Sequence, residues 1–251
     1  MKNRWYSFFK VIFGLPLRVY NRPTIEGKEH VPDTGPVILV SNHQSVMDSF
    51  YLPLMMPRQI QFPAKNEYFT APGIKGRLQK FFFSAVGQIP VDRGSKDAGD
   101  ALQEAATKVL ERGDVFGIYP EGTRSPDGRV YKGRTGVARI AMASGAPIVL
   151  VAMFGAREAN PIGSWLLRPV KVHIKLSEPI DPHAWARENG FDPDSREVMR
   201  PFTDYCMQKL AALSENPYVD IYASDVKKEL EATGNYPEGA QPGGALESWH
   251  G

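Results

Sequence analysis

Val37-Ile38-Leu39-Val40-Ser41-Asn42-His43-Gln44-Ser45-Val46-Met47-Asp48 passes from an unbroken apolar run into a polar segment with one histidine and one aspartate. Four aliphatic residues in a row read as a buried strand, and Ser45–Met56 as a short helix after it. A histidine followed five positions later by an aspartate can be a base and its orienter. Alone the spacing is weak, because a loop histidine beside a helix-capping acid has the same pattern. On one regular helix the two would lie about 140° apart in projection. They can meet only if His43 sits on the loop and Asp48 in the first turn of the helix.

Outward from this stretch, strand and helix patterns alternate. Gln59–Phe62 alternates like a strand, and Gly87–Gly94 has a short apolar centre bracketed by glycines. Residues 97–112 form an amphipathic helix with Ala98, Leu102, Ala105, Ala106, Val109 and Leu110 on one side, closed by Gly113. Val115–Tyr119 is a strand that runs into Pro120-Glu121-Gly122-Thr123-Arg124-Ser125. A helix around 135–144, an apolar strand at Pro147–Phe154 and a strand with one polar face at 170–176 follow, and 194–230 reads as helical. This alternation implies a single α/β domain with a central mixed, largely parallel sheet flanked by helices. Residues 231–251, rich in Gly and Pro, read as a disordered tail.

The 251 residues suffice for a sizeable core, and a hydrophobic share of 42% argues against global disorder. A net charge of +2 lacks the basic excess of a nucleic-acid binder. The single cysteine, Cys206, excludes an intramolecular disulfide and a cysteine-rich zinc site, and its place in a helical apolar stripe reads as core packing.

Charge is concentrated at the start. Residues 1–22 hold Lys2, Arg4, Lys10, Arg18 and Arg22 and no acid, interleaved with Trp5, Tyr6, Phe8, Phe9 and Phe13. Lys10 and Pro16 interrupt the apolar run, leaving it short of the ~20 residues that a spanning helix needs. A secretory signal is disfavoured because Arg18 and Arg22 stand where a small-residue cleavage site would be. The segment suits a helix lying in the plane of an anionic membrane surface, the competing reading being a helix that packs on the domain. A second basic-aromatic patch, Lys75 to Phe83, could join it.

No Gly-x-Ser-x-Gly elbow, phosphate loop or His-Glu-x-x-His pair occurs. If His43 is a base, the nucleophile therefore comes from the substrate. Arg93 and Arg124 each follow a glycine-containing turn after an apolar strand, and arginine matches a phosphate bidentately. Glu121 could bond a substrate hydroxyl or backbone amides, Gly122 allows close backbone approach, and Lys65 is a further phosphate or carboxylate contact.

Asn42–Asp48, Gly87–Arg93, Tyr119–Ser125 and Ala146–Val149 together resemble the four ordered blocks of the glycerolipid acyltransferase family, in its 1-acylglycerol-3-phosphate branch. The resemblance spans roughly 42–150. It implies an acyltransferase domain at 23–230 with His43 and Asp48 catalytic, and Arg93, Glu121, Gly122, Thr123 and Arg124 holding a phosphorylated acceptor. It also implies a helical membrane anchor at the N-terminus, in line with residues 1–22. The fourth block continues as Leu150-Val151 where many relatives carry a proline.

The expected reaction moves a long acyl chain from acyl-CoA or acyl-carrier protein to the free hydroxyl of 1-acylglycerol 3-phosphate, giving phosphatidic acid. No metal or bound cofactor is called for, backbone amides near Ser45 are the oxyanion candidates, and the expected location is the cytoplasmic face of a membrane, peripheral or monotopic. Glycerol 3-phosphate or another lysophospholipid as acceptor, a thioesterase, and a non-catalytic lipid-binding protein are the alternatives.

Overall fold

The computed structural model describes residues 4–92 and 98–242. In chain order the elements are α1 (Arg4–Tyr20), β1 (Thr24–Glu26), β2 (Val37–Ser41), α2 (Asp48–Met55), β3 (Ile60–Gln61), β4 (Pro63–Lys65), α3 (Glu67–Thr70), α4 (Gly73–Ala85), β5 (Ile89–Val91) and α5 (Ala98–Leu110). They continue with β6 (Val115–Ile118), β7 (Val130–Tyr131), α6 (Gly136–Ser144), β8 (Ile148–Phe154), α7 (Ala156–Ala159), β9 (His173–Leu176), α8 (Pro182–Glu188), α9 (Met199–Leu213), β10 (Tyr218–Val219) and α10 (Ala223–Thr233).

The main sheet has the order β1-β9-β8-β2-β6-β3. Every pairing is parallel except β8 with β9, so the sheet is mixed and mostly parallel as expected. β2 lies at its centre, buried along its whole length. Because side chains alternate across a strand, Ile38 and Val40 enter one core with Phe116, Ile118, Ile148 and Leu150. Helices α5, α6 and α9 close that core through Val109, Val137 and Phe202. Val37 and Leu39 enter the other core with Val115, Val149 and Val151, closed by Tyr51 and Leu52 of α2 and by Leu17 of α1. Burying such a side chain contributes about 1.5–3 kcal/mol, and β2 contributes two to each face.

The register sets Val40 beside both Ile118 and Leu150. The carboxyl ends of β2, β6 and β8 therefore share one edge, where open α/β sheets form their ligand crevices. The polar segment after β2 and the turn after β6 meet there.

Several elements differ from the sequence expectation. The helix expected at Ser45 begins at Asp48, because Ser45 lies in the turn that the Asp48 carboxylate gathers. The strand expected over 170–176 covers only His173–Leu176. The helical stretch 194–230 is interrupted by β10, which pairs parallel to β7. Residues 231–242 do not match the expected disorder: α10 runs to Thr233, Ala240 is fully buried, and the Arg129 guanidinium donates to the Ala240 and Gln241 carbonyls. A segment rich in glycine and proline can still pack where one side chain supplies donors to its backbone. Residues 243–251, the rest of that expected tail, lie outside the described residues.

α1 packs on the domain along one side and leaves apolar side chains exposed on the other. Gly14 and Leu17 are buried, with Gly14 against Leu54, while Trp5, Val11, Leu15 and Val19 are exposed. Among the described residues no helix is long and apolar enough to cross a membrane.

Cys206 is fully buried in the α9 core, and burial pushes its thiol up to about 12. A thiolate is the reactive form. The native protein should therefore leave a thiol-specific reagent unconsumed at pH 8, and take up one equivalent after denaturation. Rapid labelling of the native protein would contradict this packing.

Candidate active site

His43 stands on the loop after β2 and Asp48 opens α2, the loop-and-helix arrangement that the five-residue spacing demands. His43 Nδ1 lies 3.0 Å from Asp48 Oδ2. The same oxygen accepts the Gln44 N–H at 2.7 Å and the Ser45 N–H at 2.9 Å. Asp48 is fully buried, and its other oxygen has no hydrogen-bond partner among the described residues. Its charge is therefore held through one oxygen, at the positive end of α2. With a proton on Nδ1 facing that carboxylate, Nε2 is the basic nitrogen of the ring. The Gln44 and Ser45 amides are committed to Asp48, which removes them as the oxyanion donors expected from the sequence.

The loop is tied on three sides. Asn42 Oδ1 accepts from Met153 N–H of β8, Ser125 N–H donates to the His43 carbonyl at 2.7 Å, and Ser45 Oγ donates to the Asn160 carbonyl.

Tyr119, the first residue past β6, stacks on the His43 ring with centroids 3.9 Å apart and planes 13° from parallel. Phe62 stacks behind Tyr119 at 5.3 Å. The Tyr119 hydroxyl is 2.9 Å from Ser49 Oγ, one residue past Asp48. Burial and the Asp48 charge push its phenol well above the ordinary value, so it stays neutral. Gly117 makes this stack possible, because a Cβ there would come within 2.4 Å of the Phe62 ring.

Of the two kinds of partner the sequence allowed Glu121, a substrate hydroxyl or backbone amides, it has backbone amides. It is buried, with Oε1 accepting the His43 N–H and Oε2 the Tyr131 N–H, both at 3.2 Å. Burial pushes its carboxyl up to about 8, against the pull of those two amides. Glu121 thus holds the histidine loop from behind. The turn bends sharply at Gly122, whose φ of 74° is in the left-handed region that favours glycine.

His43 lines a cavity of ≈ 1020 Å³. Gly122, Thr123, Arg124 and Lys65, the other described residues singled out from the sequence, line it too. Arg93 lies outside the described residues. Lys65 ends β4 and pairs with Val91, the last residue of β5. Arg134 and Arg139 also line the cavity, and Lys227 of α10 donates to Thr123 Oγ1 at 2.8 Å. Sequence reasoning missed these three. Arg134 and Arg139 follow the third block closely enough to have been candidates, whereas 104 residues separate Lys227 from Thr123. Apolar residues also line it: Phe9 and Phe13 of α1, Phe50 and Leu54 of α2, and Phe82 and Phe83 of α4, with Lys10 of α1 among them. The cavity can hold an anionic group and a hydrocarbon chain, with the histidine between two strand ends.

Comparison with known proteins places the chain in a family. The acyltransferase family model matches residues 22–154. The chain belongs to the acyltransferase family. Among its relatives, the 1-acyl-sn-glycerol-3-phosphate acyltransferase of Limnanthes douglasii is 31% identical over 70% of this chain and 60% of its own length. The enzyme of that name from Bacillus subtilis is 29% identical over 81% of this chain and 92% of its own length. The chain thus spans about half to 60% of the length of the plant relatives and nearly all of the bacterial one. The crystal structure of the 1-acyl-sn-glycerophosphate acyltransferase PlsC from Thermotoga maritima is similar at a TM-score of 0.61 and 30% identity, covering 82% of this chain and 78% of that one. The acyltransferase match begins at Arg22, just beyond α1, and ends at Phe154, the last residue of β8. Lys227 lies well past it.

Replacing Glu121 with Ala should leave two buried amides unpaired, at about 1–3 kcal/mol each. Thermal denaturation should show a lower Tm than wild type, and Glu121→Gln, which keeps one acceptor oxygen, should fall between them. Equal Tm values for all three proteins would contradict the role of Glu121 as a backbone anchor.

Proposed function

We propose that this acyltransferase moves an acyl chain from a thioester of coenzyme A or acyl-carrier protein to the free hydroxyl of 1-acylglycerol 3-phosphate, giving phosphatidic acid. The observation that carries the proposal is the His43–Asp48 pair opening on a cavity lined by both cationic and aromatic side chains. The names of the relatives support the same acceptor.

In this reading His43 Nε2 takes the proton of the acceptor hydroxyl as its oxygen attacks the thioester carbonyl. The tetrahedral adduct collapses, the C–S bond breaks, and the thiolate leaves with the proton that Nε2 returns. Asp48 keeps the imidazole in the required tautomer and supports the imidazolium between these steps. Tyr119 stacks on the same ring and holds its plane in place. No side chain is acylated, in keeping with the absence of a serine or cysteine nucleophile from the sequence motifs. Arg124, with Lys65 and Arg93, holds the acceptor phosphate. Such positioning can be worth about 7–11 kcal/mol of the barrier in favourable cases.

A general base contributes about 100- to 10 000-fold. His43→Ala and Asp48→Asn should lower turnover by that order with lysophosphatidate and a long-chain acyl-CoA, followed as phosphatidic acid by mass spectrometry. Undiminished turnover in both variants would remove the assignment. Release of free fatty acid without lipid product would indicate a thioesterase instead.

The reading includes peripheral attachment to the cytoplasmic face of a membrane. Trp5, Phe8 and Leu15 of α1 are exposed, as are Ile74, Leu78 and Phe81 of α4. The Trp5 and Phe81 rings meet edge to face at 5.1 Å, joining the two helices into one apolar face. Aromatic groups at such a face favour the lipid interface. A variant carrying Trp5→Ser, Leu15→Ser and Leu78→Ser should sediment far less with anionic vesicles than wild type. Equal sedimentation would place the membrane contact elsewhere.

A further inference from the structure

We infer that Lys227, on the C-terminal helix α10, is a positioning residue for the phosphate of the acceptor, acting through Thr123 and beside Arg124. The inference rests on the proposed reaction and extends the binding site to a part of the chain far beyond the family match.

Two contacts join α10 to the cavity wall. Lys227 Nζ donates to Thr123 Oγ1 at 2.8 Å, and Arg134 Nη2 donates to Ser224 Oγ at 3.2 Å. Tyr222, which precedes the helix, lies under the Arg134 guanidinium with 5.2 Å from carbon to ring centroid. Thr123, Arg124 and Arg134 all line the cavity that His43 lines. The helix therefore stands directly behind these residues.

No ion pair holds the charge there. Among the described residues, none of Lys227, Arg124 and Arg134 has a carboxylate within ion-pair distance. Lys227 is half-buried, with a hydroxyl as its hydrogen-bond partner. Taking an ammonium partly out of water without a counter-charge is unfavourable. Burial and the Arg124 charge accordingly hold Lys227 below the ordinary lysine value. Glu121 attracts Lys227 without pairing with it: both of its oxygens accept backbone amides and burial pushes its carboxyl up to about 8, which weakens it as a counter-charge. Glu231, one turn along α10, is exposed and attracts Lys227 less than Arg124 repels it. A phosphate monoester at Thr123 and Arg124 would supply an ion-pair partner.

Such a phosphate could belong to the acceptor or to coenzyme A. Kinetics on the full chain with Lys227→Met and Lys227→Arg separate the two, varying lysophosphatidate at saturating acyl-CoA and then the reverse. Calorimetric titration with short-chain lysophosphatidate, donor absent, is run beside them. Loss of one charge-assisted hydrogen bond should raise the acceptor KM and Kd of Lys227→Met about 10- to 100-fold. Its kcat should change little, Lys227→Arg should recover most of the affinity, and the donor KM should stay put.

Unchanged acceptor Kd and KM would overturn the inference. So would a rise confined to the donor KM, or a fall in kcat and Tm with the acceptor KM unmoved and no rescue by arginine. A wild-type protein that binds lysophosphatidate without acylating it would sink the proposed reaction, and the titration would still decide the role of Lys227.

Discussion

A single carboxylate oxygen organises the active end of this molecule. Asp48 Oδ2 takes the His43 imidazole and two successive backbone amides, so one atom fixes the ring, shapes the loop and begins the helix. That arrangement needs Asp48 out of water, where hydrogen bonds to an anion are strong and an unsupported charge is costly. The two cores on either face of β2 exclude that water. The chemistry thus depends on a central strand whose carboxyl end lies level with those of β6 and β8.

The neighbouring strand end completes the constraint. From β6 come Tyr119, stacked on the front of the histidine ring, and Glu121, bonded to its backbone from behind. Residues only two apart in the chain thereby play opposite parts. The sharp turn at Gly122 then sends Thr123 and Arg124 to the cavity. Gly117, Phe62 and Tyr119 form a chain of contacts in which the missing side chain of one residue makes room for the stacking of the others.

The cavity offers side chains for two kinds of ligand group. Arg124, Arg134 and Arg139 come from the β6 turn and α6 with its approach, Lys65 from β4 and Lys10 from α1, and most of the aromatic rings come from α1, α2 and α4. α1 serves the inside and the outside of the protein at once. Phe9 and Phe13 face the cavity, while Trp5 and Leu15 are exposed. The same helix thus borders the cavity and presents apolar side chains at the surface.

The sequence by itself determined the α/β class, the central buried strand, and the loop-and-helix placement of His43 and Asp48. These follow from local rules: apolar runs need burial, and a helix places residues five apart on different faces. It also singled out Lys65, Thr123 and Arg124 as residues of one site. Tertiary structure alone decided which amides Glu121 meets, the Tyr119 stack, the packing of residues 231–242 and the approach of Lys227 to Thr123. Each of those depends on a contact between distant segments, and hydrophobic periodicity carries no information about which segment a side chain will meet.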